Sequence, residues 1–172
     1  RDYIQDQDIR DDLGAFSMFH ATEDEDGNIW SGSMNGRVYV NKAGTDESVV
    51  FLKLENLRYP GQEGRNWVTS LYVEQPGIIW LAAEWSGLQR IQFNRETLEI
   101  IDTEIWIPNS GDDGYLAGIP QNFARVNDNE IVIGTSVGIA IYYIDEARFE
   151  SVGYGEGGVY TSDHNYGNWS FT

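Results

Sequence analysis

The side chains best suited to chemistry in this sequence fall in two short stretches. Asp24 and Asp26, with Thr22 and Glu23 before them and Gly27 after, set hard oxygen donors at alternating positions, as calcium loops do. The rest of such a loop, with its closing bidentate Glu, is absent. The same residues suit a tight hairpin turn whose Asp and Asn side chains accept from backbone amides. Glu84, Trp85 and Arg90 form the second set. Trp85 falls in a turn between two strand-like runs, where an indole can stack on a sugar ring or pack against a neighbouring layer. Glu84 and Arg90 would then supply directional hydrogen bonds to a ligand. His20 and His164 stand far apart in a chain with no cysteine, which argues against a transition-metal site. Ser162, Asp163 and His164 are adjacent only in sequence, whereas hydrolytic triads are assembled across a fold. No catalytic residue is assigned. Even so, 28 carboxylates make some pair at glycosidase separation unavoidable, which keeps a glycan-acting hydrolase as the alternative to a binding protein.

Composition limits the partners. The 172 residues carry 11 basic and 28 acidic side chains, a net charge of −17. Nucleic acid and anionic membrane surfaces need clustered Lys and Arg, and here the only lysines are Lys42 and Lys53. An acidic, lysine-poor surface suits a secreted, cell-surface or high-salt protein. No apolar run reaches the roughly 18 residues needed to span a bilayer, so membrane insertion is not expected. An apolar fraction of 41% is enough for a packed core. The start at Arg1 and the strand-like ending at Trp169 and Phe171 predict a piece of a longer protein.

The elements that must position these residues are strands. Residues 67–93 hold three short alternating runs separated by two breaks, Gln75-Pro76-Gly77 and Glu84-Trp85-Ser86-Gly87. Proline presets φ and glycine accepts a positive φ, so each break reads as a turn in an antiparallel meander. Residues 78–83 are nearly all apolar, as in a strand covered on both faces. The pattern recurs. Trp30, Trp80 and Val132 occupy one position, 50 and 52 residues apart, followed two places later by Gly32, Ala82 and Gly134. Gly36, Gly87 and Gly138 then open a third strand, one place later in the copy that contains Trp85. A period near 50 residues with several strands per period predicts an all-β, β-propeller-type repeat of four-stranded antiparallel blades. The blades fall at residues 16–54, 67–103 and 122–152, with 153–172 starting another, all within one domain or domain fragment. Helical spacing is never held for three turns, so almost no helix is expected.

Two of these copies, Asp26-Gly27-Asn28-Ile29-Trp30-Ser31-Gly32-Ser33 and Gly77-Ile78-Ile79-Trp80-Leu81-Ala82-Ala83 through Arg90, resemble the repeat of two-component regulator propellers. Glu130-Ile131-Val132-Ile133-Gly134-Thr135 is similar, with Val in place of Trp. The resemblance implies an extracytoplasmic module, periplasmic, cell-surface or secreted, of the kind found in glycan-responsive sensors. Those sensors carry many more blades and a domain before the membrane, neither of which this sequence shows. The expected function is therefore non-catalytic binding, recognition or scaffolding. The expected partner is another protein or the remainder of a parent chain, with a glycan ligand as an option. A structural component of a surface assembly is a third reading. No cofactor is expected beyond the calcium considered at Asp24 and Asp26.

Overall fold

The computed structural model describes residues 18–55, 57, 66–107, 118–136 and 138–153, and all of their regular structure is β-strand. The strands are β1 (Met18–Glu23), β2 (Ile29–Ser33), β3 (Arg37–Asn41), β4 (Ser48–Lys53), β5 (Val68–Gln75) and β6 (Ile78–Ala83). They continue with β7 (Gly87–Phe93), β8 (Ile100–Trp106), β9 (Pro120–Arg125), β10 (Glu130–Thr135), β11 (Gly138–Tyr143) and β12 (Arg148–Gly153). Each run of four consecutive strands makes one antiparallel sheet, β1 to β4, β5 to β8 and β9 to β12. Local chemistry explains the meanders. Pro76 and Gly77 close the β5–β6 hairpin, and Gly77 takes a φ of 81°, which a side chain would resist.

Two hydrophobic seams stack the sheets. In the first seam Trp30, Val38 and Val40 of the first sheet meet Leu71, Ile79, Leu81 and Ile91 of the second. Trp30 sits 4.9 Å from Phe51 and 5.0 Å from Phe93, ring centre to ring centre. The opposite face of the second sheet carries Trp80 and Leu88 into a second seam, against Ile131, Ile133, Ala140, Tyr142 and Phe149 of the third. All six residues of β6 are buried, because Ile79, Leu81 and Ala83 turn one way and Trp80 the other. Neither face of that strand meets water.

The sheets approach most closely along their first strands, β1 against β5 and β5 against β9. One point of approach, between Gly32 of β2 and Val68 of β5, leaves no room for a side chain. A Cβ on Gly32 would lie 2.7 Å from the Cβ of Val68 on the neighbouring sheet. Aromatic rings fill the second seam from Tyr72 on Phe123, between β5 and β9, to Trp106 on Phe149, between β8 and β12. We expect Gly32→Ala to cost about 1–3 kcal/mol through overpacking. Adding Val68→Ala should recover part of that loss in urea denaturation.

The structure moves some sequence expectations. The closing strand of the second sheet runs from Ile100 to Trp106, past the expected blade end at residue 103, and Trp106 at its end stacks on Trp80. The β6–β7 turn is not longer than its counterpart in the first sheet. Trp30 pairs with Val40 and Trp80 with Arg90, so both hairpins have the same length and only the glycine is displaced. Val132 pairs with Ile141, and the third hairpin is one residue shorter. The acidic entry at residues 1–14, the loop at 59–64, most of the loop at 109–118, and the tail at 154–172 with Ser162, Asp163 and His164 lie outside the described residues.

Candidate functional site

One arrangement occurs in both tryptophan-bearing sheets. In the first, Asp24 in the β1–β2 turn accepts a hydrogen bond from Trp30 Nε1 at 2.8 Å. In the second, Glu74 near the end of β5 accepts one from Trp80 Nε1 at 2.7 Å. The acid precedes the indole by six residues both times. A buried indole N–H needs an acceptor, and a carboxylate across the hairpin provides a strong one. Nothing in the sequence reading linked these pairs, although the common spacing was there to be seen.

Asp24 has little capacity left for anything else. It also accepts from the Asp26 amide at 3.0 Å, and from the Asn28 amide and side chain, both at 2.9 Å. Partial burial would raise its pKa, but the hydrogen bonds from Trp30, Asn28 and Asp26 outweigh burial and hold the carboxylate below its usual range. Asp26 turns to a different partner, Arg95 of the second sheet, with Nε to Oδ2 at 3.0 Å. Asp24 and Asp26 thus serve separate donors. Among the described residues no group of three or more His, Asp or Glu side chains is placed to hold a metal ion.

Glu74 is more deeply enclosed, its side chain only 2% exposed. Arg90 grips it with Nε and Nη2 at 2.8 and 3.0 Å, and reaches Glu104 with Nη1 at 3.1 Å. The guanidinium also lies 5.9 Å from the centre of the Trp80 ring. Arg125 of the third sheet donates to the Glu74 carbonyl at 3.1 Å, which ties the two sheets at this point. Burial pushes the Glu74 carboxyl up. Bonds from Arg90 and Trp80, with the charges of Arg90 and Arg125, outweigh it and leave the net value lowered. Around this clasp Trp80 stacks on Trp106 at 5.6 Å and meets Tyr142 edge-on at 4.9 Å. The Glu74 carboxylate is thus engaged by both Arg90 and Trp80.

The structure does not assemble Glu84, Trp85 and Arg90 into one site. Glu84 and Trp85 are half-buried in the β6–β7 turn. Arg90 lies opposite Trp80, three rungs down the hairpin from the Ala83–Gly87 pair, roughly 10 Å away. Arg90 is engaged instead by Glu74 and Glu104. The turn itself is pinned. Asn66, nearly buried, accepts from the Trp85 amide at 3.2 Å and donates to the Glu55 carbonyl at 3.1 Å, and its side chain also donates to Ser86 Oγ. Trp85 therefore stands at the rim on a rigid base. At the other end of the first seam, Asp24, Glu25, Asp26 and Asn28 face Phe93 and Arg95 across a shallow groove. The Asp26–Arg95 pair in this groove is exposed, and water and salt weaken it.

His20 connects the same two sheets near their inner strands. Its Nδ1 accepts from the Leu71 amide at 3.1 Å, so that nitrogen carries no proton. Burial lowers the imidazole pKa below the usual 6.5. Between the two values the unfolded chain binds more protons than the folded one, and stability therefore falls as pH drops below 6.5. The contribution is lost once pH passes through the folded value. His20→Asn, with an amide oxygen in place of Nδ1, should flatten this limb in thermal melts taken at successive pH values. Because the acceptor for the Leu71 amide is kept, its cost at neutral pH should stay below the roughly 1 kcal/mol of a lost hydrogen bond.

No protein-family model matches the chain, and no curated protein matches it in sequence. Solved structures do. The extracellular domain of a hybrid two-component system from B. thetaiotaomicron superposes with a TM-score of 0.59 at 15% identity, over 87% of this chain and 18% of that one. The computationally designed Ika4 protein superposes with a TM-score of 0.50 at 14% identity, over 78% of this chain and 71% of that one. The chain spans less than a fifth of the first neighbour's length. At these identities the likeness is one of fold, an all-β stack of four-stranded antiparallel sheets.

Proposed function

We propose that this chain is a non-catalytic recognition or scaffold module acting outside the cytoplasm, related to two-component regulator propellers. Its sheets would then be blades of a propeller completed by the remainder of a parent protein or by a partner. One observation carries the reading. Val132, on the third sheet, stands where the first and second sheets place Trp30 and Trp80, each covered by the sheet that follows. Ile131 and Ile133 face the second seam, so alternation turns Val132 to the far side, as it does Ile139 and Ile141. These aliphatic residues are only half-buried. A further sheet laid on them would repeat the seams already present. The extracellular neighbour supports the location, and the full occupation of Asp24 and Glu74 by indole and guanidinium donors supports binding over hydrolysis.

A glycan array read in parallel with a reducing-end release assay tests the function. Specific binding without release is the expected result, and release of reducing ends would replace this reading with the hydrolase. Binding of protein partners with no glycan binding would favour a structural component of an assembly. Methyl NMR with a soluble paramagnet tests the architecture. Strong broadening of Val132, Ile139 and Ile141 in the isolated chain is expected. Shielding of all three by the chain's own residues would remove the need for a partner.

A further inference from the structure

The first sheet has one face in the first seam and one turned away from it. Val38 and Val40 lie in the seam, so the unbroken alternation of β3 puts Arg37, Tyr39 and Asn41 on the outer face. Val50, opposite Tyr39, and Lys53, opposite Arg37, join them there from β4, and Ile29 joins from β2. Tyr39 has counterparts in the other sheets. Tyr39, Gln89 and Ala140 pair with Ser31, Leu81 and Ile133, each one residue past the repeated Trp or Val position. Gln89 is buried beside Leu81 under the first sheet, and Ala140 is buried under the second. Neither of the other described sheets packs over Tyr39, yet it is only 1% exposed. The cover is narrow. Ile29 and Val50 on the same face are 40% and 42% exposed, whereas Ile79 and Ile131, the counterparts of Ile29, are buried in the seams. A whole sheet would shield Ile29, Tyr39 and Val50 together; a single strap of chain shields one of them.

We propose that residues 1–17, which lie outside the described ones, form this strap and cross the outer face of the first sheet over Tyr39. The segment leads directly into β1, which lies two strands and so about 10 Å from β3. A chain of that length reaches up to about 55 Å when extended. Charge points the same way. The segment carries Asp2, Asp6, Asp8, Asp11 and Asp12 against Arg1 and Arg10, and the face it crosses holds Arg37 and Lys53 in a chain of net charge −17. The other undescribed stretches lead elsewhere. The link after β4 leaves on the seam side, where Leu54 is buried and the Glu55 carbonyl accepts from Asn66. Residues 108–117 join the second sheet to the third, and 154–172 leave from β12 with only Glu156 and Asp163 as acids. In the second and third sheets this same face receives the preceding sheet. On the first sheet the strap occupies that place, so a sheet approaching from this side must displace it. The inference is separate from the recognition reading above, which concerns the far face of the third sheet.

A spin label tests the placement, because a chain without cysteine takes one at a single chosen site. With the label carried by Gln7→Cys in the whole chain, the Tyr39 ring and the Val50 methyls should broaden in NMR spectra, and Val132 should not. Deleting residues 1–14 should make Tyr39 as accessible to a soluble paramagnet as Val50 is, with the signals of buried Trp30 and Trp80 unmoved. Arg37→Glu combined with Lys53→Glu should repel the strap and expose Tyr39 without any deletion. If the shortened chain does not fold, the label and the charge variant decide. Broadening confined to another face, or a Tyr39 that stays shielded in the folded variants, overturns the proposal. Exposure of Tyr39 by removal of residues 154–172 also overturns it, in favour of the other end of the chain.

Discussion

Trp80→Ala should destabilise the protein by about 3–5 kcal/mol, read as a shift of the urea midpoint. The indole is fully buried in the second seam. It stacks on Trp106, meets Tyr142 edge-on and lies 6.2 Å from Phe123. Truncation removes those contacts and leaves a cavity between two sheets that cannot simply close. It also takes one donor from a buried carboxylate. Trp30→Ala belongs to the same class, with Phe51 and Phe93 losing their partner. Its cost should be the smaller, because Asp24 sits in a partly exposed turn where water can replace the indole N–H. Trp80→Phe separates the two contributions. It keeps a ring in the seam and should cost about 1–3 kcal/mol, chiefly for the missing donor at Glu74. A loss under about 1 kcal/mol for Trp80→Ala would mean that the second seam does not hold the sheets together.

Glu74→Ala should cost about 3 kcal/mol, the low end for breaking a buried ion pair. Arg90 keeps Glu104 as a partner and is partly exposed, which spares the protein the full penalty of an isolated charge. Trp80 Nε1, by contrast, loses its acceptor in a buried seam. Glu74→Gln keeps an acceptor oxygen and should fall between the variant and the parent. The pH dependence gives an independent check. The folded carboxyl titrates below its ordinary value of 4.5, so its contribution is complete above 4.5 and is lost as pH falls through the folded value. Glu74→Ala should therefore be penalised at neutral pH, and the penalty should shrink as the solution is acidified past that point. A penalty unchanged down to the acid transition would show that the charge on Glu74 plays no part.

Much of the fold was legible because strand periodicity and turn chemistry are local. The repeat of Trp30, Trp80 and Val132 located the second strand of every sheet, and Gly36, Gly87 and Gly138 stand at or next to the start of β3, β7 and β11. The apolar run at residues 78–83 correctly implied a strand covered on both faces. The site was less legible, since side-chain partners depend on register and on which sheet lies opposite. Arg90 was grouped with Trp85 by closeness in sequence, whereas cross-strand pairing sets it beside Trp80 and under Glu74. Trp106 lay beyond the expected strand end, because its place is fixed by a ring stack no sequence window contains. The six-residue step from Asp24 to Trp30 and from Glu74 to Trp80 was visible, but reads as coincidence until the hairpins fold the two positions together.

Each sheet is a meander in which every ladder joins strands that follow one another along the chain. Bringing two strands together across a turn of a few residues loses little chain entropy, and that loss grows only slowly with loop length. The pairings themselves therefore have low contact order, unlike those of sandwiches whose strands cross between sheets. What remains costly is the docking of one sheet on the next, where Trp30 and Trp80 must each find a ring lattice formed by two separate hairpin systems. The search that limits folding is thus a search over faces and not over strands.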